Sequence, residues 1–159
     1  MSADTKQPLT PAERIAAAMA KRESIKASEA LAFAEQQATD IEALVDLEGE
    51  HGFERIIRID IDGWKPGVGA ATMVVIRVPL SSEKVFKRFQ DTFAKAKEGS
   101  TTKSDAGITL GRACVVYPSE KTDKALFDAT IELADGVLAH AGGQIVGRLQ
   151  GSAEEEKKG

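Results

Sequence analysis

Along this chain apolar residues recur mostly at steps of three and four, and they alternate with polar ones in only two short stretches. The pattern predicts an α+β fold, mostly helical, with a two-stranded antiparallel β-hairpin packed by amphipathic helices. "TPAE" at Thr10 to Glu13 is a helix start: the Thr10 hydroxyl caps, Pro11 needs no amide partner, and Glu13 closes a capping box. Ile15, Ala18 and Met19 follow at helical spacing, a stripe too thin to hold a helix in water without a partner. A second helix is expected from about Ser28 to Leu47, with Leu31, Ala34, Ala38, Ile41, Val45 and in part Leu44 along one side. The glycines in "GEHG" end it. In "FERIIRIDID" Ile57, Ile59 and Ile61 alternate with Arg58, Asp60 and Asp62, the signature of a half-buried strand. Gly63 to Gly69 reads as a turn, and Val74, Ile76 and Val78 form the returning strand, which Pro79 terminates.

Beyond the hairpin, "SSEKVFKRFQDTFAKAKEGS" predicts a helix capped by Ser81 or Ser82. Its apolar stripe is Val85, Phe86, Phe89, Phe93 and Ala96; Lys84, Lys87, Arg88, Lys95 and Lys97 make the opposite side basic. A flexible connection and a short helix through "AGITLGRACVVY" follow, stopped by Pro118. The last helix starts near Thr122 or Asp123, with Phe127, Ile131, Leu138, Ala141, Ile145 and Leu149 in series. Gly136 and the pair Gly142 and Gly143 each weaken it by roughly 1 kcal/mol, so a bend or break is expected there. The resulting organisation is an N-terminal arm, partly helical, over residues 1–27, a single α+β domain over 28–150, and a disordered polar tail over 151–159.

Charge changes this picture in one place. Between Ala27 and Gly52 there is no lysine or arginine, and Glu29, Glu35, Asp40, Glu42, Asp46, Glu48 and Glu50 stand unopposed. They read as a solvated acidic face, or as a docking surface for a basic partner or a basic helix of the same fold. The net charge of −4 argues against a protein that lives on nucleic-acid phosphates, and the basic helix face lacks interleaved exposed aromatics. No apolar run approaches the roughly 18 residues of a membrane span.

The candidate chemistry is sparse. The lone Cys114 sits among Ala113, Val115 and Val116 and reads as a small core hydrophobe, since a nucleophilic thiol needs an electropositive, accessible setting and a base. His140 lies one position off the apolar stripe, a boundary residue rather than that base. His51 with Glu48 lacks a third metal ligand of defined spacing. Asp60 and Asp62 read as solubilising residues. "GVGAAT" has no lysine in the Walker position and leads into a strand, so it is a turn. No catalytic residue, cofactor site or metal site is expected. Trp64, the sole tryptophan, reads equally as an exposed partner anchor and as a cover for the hairpin's own end.

The order of motifs carries a resemblance. An acidic helix ending in "ALVDLEGEHG" precedes a hairpin whose second strand leads into "IRVPLSSEKVFKRFQDTF", followed by "RACVVYPSEKTDKALFD" and an apolar final helix. From about Ile41 to Leu149 this resembles the small tail assembly chaperones of tailed bacteriophages. The resemblance implies a non-enzymatic protein of the host cytoplasm that binds the long, helical tape-measure protein during tail morphogenesis. Ile15, Met19, Trp64, Leu138, Ile145 and Leu149 are then the expected partner-facing residues. The competing expectations are a structural tail or neck component of the virion, assembling as a ring, and an enzyme using Cys114.

Overall fold

A computed structural model of the chain describes residues 7–61, 64, 69–132 and 135–158. Helix α1 runs over Pro11–His51, and a single 3-10 turn at Phe53–Arg55 leads into strand β1, Ile56–Asp60. Strand β2 is Met73–Arg77, helix α2 is Lys84–Lys95 and helix α3 is Thr101–Cys114. Strand β3 follows at Val115–Tyr117, then α4 at Lys124–Ile131 and α5 at Asp135–Lys158. The chain divides into two units, Met1–Gln36 and Gln37–Gly159.

In the first unit the described structure is the N-terminal part of α1, whose residues 11–35 are all exposed. The expected break near residue 27 is absent. No glycine or proline stands between Ala12 and Glu48, so nothing in the sequence interrupts the helical hydrogen bonding. Thr10 caps as expected, its Oγ1 accepting from the Glu13 amide at 3.2 Å.

The second unit is built on an antiparallel sheet of three strands in the order β1-β2-β3, not on a lone hairpin. Ile57 stands opposite Ile76 and Ile59 opposite Val74, while Val75 and Ile76 pair with Tyr117 and Val115 across an irregular step. "VVY" had been assigned to the end of a helix; its two β-branched residues and tyrosine favour the pleated edge of β2 instead. The Tyr117–Pro118 peptide is cis.

Strand alternation sends Ile57, Ile59, Val74, Ile76 and Val78 to one face of the sheet. There they pack with Phe86 of α2, Leu110 and Cys114 of α3, Phe127 and Ile131 of α4, and Val137, Leu138, Ala141 and Ile145 of α5. On the other face Ile56, Met73 and Val75 meet Leu44, with Leu47, Val116 and Tyr117 around them.

The pair Gly142 and Gly143 causes no break in α5, and Gly142 serves a close crossing with α3. A Cβ at Gly111 would lie 2.3 Å from the Leu138 carbonyl oxygen, and one at Gly142 would lie 2.2 Å from that of Gly107. Only glycine lets these backbones touch. α4 ends at Ile131 and α5 begins at Asp135, with residues 133 and 134 outside the described ones. The helix then continues to Lys158, so residues 151–158 are helical in backbone where an irregular tail was expected.

Candidate partner-contact surfaces

The side chains weighed for chemistry are scattered over the second unit in different settings. Cys114 is 2% exposed within the core, and burial pushes its thiol up to about 11, so it is neutral at physiological pH. His140 is exposed and lies against Trp64, ring centroids 5.6 Å apart and planes tilted by 52°. His51 has Glu50 at 3.9 Å. Asp60 is exposed and paired with Arg58 at 2.8 Å, while Asp62 and the first two residues of "GVGAAT", Gly67 and Val68, lie outside the described residues. Among the described residues no three histidine, cysteine or carboxylate side chains come together as a metal site.

Two polar features were not read from the sequence. Asp40, assigned to the solvated acidic face, is wholly buried. Its Oδ2 accepts from the Thr72 amide and the Thr72 hydroxyl, both at 2.6 Å, and its Oδ1 accepts from the Tyr117 hydroxyl. A carboxylate can be removed from water only when its lone pairs are met this way. The same loop is held from the opposite side by Thr130, whose Oγ1 accepts from the Ala71 amide at 2.9 Å and donates to the Leu126 carbonyl at 2.7 Å. These bonds explain why α1 docks through Asp40, Leu44 and Leu47, so that of the apolar stripe predicted for it Leu44 is buried. Its other members Ile41 and Val45 face solvent, 40% and 58% exposed.

The second feature is Glu83. This N-cap residue of α2 accepts two bonds from Arg77, at 2.9 and 3.0 Å, with Arg55 at 3.5 Å. Arg55 Nη2 also donates to the Val78 carbonyl at 3.0 Å. The Arg77 guanidinium holds the Glu83 carboxyl down at about 2 against its ordinary 4.5. This clamp fixes the passage from β2 into α2.

The residues expected to face a partner divide sharply. Ile15 and Met19 are exposed on α1, as are Ile25, Leu31 and Phe33 in the same unit. Leu138 and Ile145 are instead core residues, because α5 turns its apolar stripe onto the sheet and α3. Leu149 is half-buried against that core. Trp64 is half-buried on it too, its indole so close to α5 that a Cβ at Gly136 would lie 2.7 Å from Nε1. Of its two readings, the covering one matches this placement.

One apolar groove stands open in the second unit. It has a volume of about 630 Å³ between α2, α3 and α5, walled by Phe89 and Phe93 and floored by Gly107, Gly143 and Val146. Phe93 is 44% exposed there, and the Lys103 ammonium sits 4.9 Å from its ring centroid.

No family model matches this chain, and neither a curated protein nor a solved structure matches it.

Proposed function

We propose that this protein is a non-enzymatic assembly chaperone that covers apolar helical segments of a longer partner, the tape-measure protein of a tailed phage. The observation that carries this reading is the surface of residues 11–36. Ile15, Met19, Ile25, Leu31 and Phe33 are exposed on one continuous helix. Apolar residues at helical spacing are the means by which amphipathic helices recognise one another. The acidic, lysine-free run that begins after Ala27 steers basic segments toward the helix, an effect that salt weakens. The buried, neutral Cys114 thiol supports a contact role over a chemical one.

Co-expression with the products of neighbouring genes, followed by pull-down, tests the proposal. A long helix-rich protein should co-purify, and Ile15→Asp with Met19→Asp should release it while Cys114→Ala leaves it bound. Retention of this chain in finished particles would favour the structural-component reading. Recovery of no helical partner would remove the chaperone reading altogether.

A further inference from the structure

Helix α1 carries a seam that its docking side leaves free. From Ala17 to Val45 an alternation of steps of three and four lands every time on alanine, serine or an aliphatic residue, and each of these positions is exposed. Leu31, near the middle, is 62% exposed. A repeat of 3.5 residues kept up over this length is the pattern of a two-stranded coiled coil. Beside the seam, at intervals of seven, stand Arg14, Lys21, Ser28, Glu35 and Glu42, all exposed. That flank is cationic before Ser28 and anionic after it.

The order of charges selects the occupant. In a parallel pair of copies Lys21 would lie beside Ala16, Glu35 beside Ala30 and Glu42 beside Gln37, so no opposite charges would meet. Turned antiparallel about a two-fold axis level with Glu29, the helix meets its own copy with Arg14 beside Glu42, Lys21 beside Glu35 and Ser28 beside Ser28. The other flank brings Glu23 beside Gln37, so like charges do not face each other there. Within the seam the same register sets Leu31 against Ala27, Ile41 against Ala17 and Ser24 against Ala34. No such layer holds two branched side chains, and large against small keeps the backbones evenly spaced. We infer that α1 pairs with α1 of a second copy through this seam as an antiparallel coiled coil, making the protein a closed homodimer. Ile15, Met19, Ile25 and Phe33 lie off the seam and stay available to the longer partner proposed above.

Sedimentation velocity on the purified full chain tests the pairing without any other partner. The wild type should reach twice the 16.9 kDa chain mass and go no higher, because a two-fold contact uses the seam up. Leu31→Glu, at an exposed position, should leave only monomer. Ile15→Asp with Met19→Asp should leave the dimer whole, because neither lies on the seam. Lys21→Glu should weaken the dimer roughly tenfold, since two like-charge contacts replace two opposite ones. Lys21→Glu with Glu35→Lys in one chain should restore it. Direction is read with a short bis-maleimide in Cys114→Ala chains. Ser28→Cys should cross-link to its copy and Lys21→Cys alone should not, while a mixture of Lys21→Cys and Glu35→Cys chains should. A wild-type chain at monomer mass at every concentration would overturn the inference. So would growth beyond a dimer, a charge swap that does not rescue, a dimer lost with Ile15 and Met19, or cross-linking of Lys21→Cys to itself.

Discussion

The two faces of the sheet are closed by different means. On the helical side, Ile57, Ile59, Val74 and Ile76 meet four helices in one large apolar cluster, and α3 and α5 approach until their backbones touch. On the α1 side the apolar patch is small, four buried residues, and a carboxylate sits at its centre. Hydrophobic burial is strong but non-directional. A small patch cannot by itself choose which side of a helix to accept, especially when that helix offers two. The directional bonds of Asp40 make the choice here, and they leave the more apolar stripe of α1 outside.

The largest test of this contrast is Phe127→Ala, on the helical side. Removing this buried ring should cost about 3–5 kcal/mol in denaturant unfolding, with no change in which elements are helical. Asp40→Ala should cost less, about 3 kcal/mol, because it removes the acceptor of the Thr72 amide, the Thr72 hydroxyl and the Tyr117 hydroxyl. Adding Tyr117→Phe should then cost less than Tyr117→Phe costs in the wild type, since its bond to Asp40 is already gone. Additive losses in this double-mutant cycle would mean that Asp40 is not the acceptor described.

A smaller effect is expected from acid. The Glu83 carboxyl is held at about 2 in the folded chain against 4.5 ordinarily, so its contribution is fully present above pH 4.5. It is lost as pH falls from there toward 2. With the side chain 29% exposed, the contribution is only about 1 kcal/mol. Glu83→Gln should flatten this part of the stability profile, and an unchanged acid limb would show that the arginines do not act on it. The smallest effect should come from Met19→Ser, within about 0.5 kcal/mol by thermal unfolding, because its side chain is exposed.

Much of the helical side was legible beforehand. The period-two alternation of β1 and β2, Phe86 and Phe89 of the α2 stripe, and the spacing of Phe127, Ile131, Leu138 and Ile145 lie where the pattern put them, while Phe93 at the end of that stripe is exposed. What escaped depends on relations between distant segments. Val115 and Val116 look alike in a helix end and a strand until β2 is there to pair with them. Gly142 reads as a helix weakener until Gly107 arrives beneath it. On α1 the apolar count pointed to the wrong side, because the docking side holds an acid. The signal was present in principle: Gln37, Asp40, Leu44 and Leu47 also recur at steps of three and four. Nothing local says that Thr72 and Tyr117 will come to meet that acid. The candidate surface followed the same division, with Ile15 and Met19 exposed as expected and Leu138 and Ile145 taken by the core.

The bonds to Asp40 span 32 residues to Thr72 and 77 to Tyr117. A growing polypeptide therefore cannot complete them until the third strand has been synthesised. Until then the aspartate keeps that flank of the leading helix hydrated, so the newborn segment is shielded from premature sticking by the same acid that later anchors it.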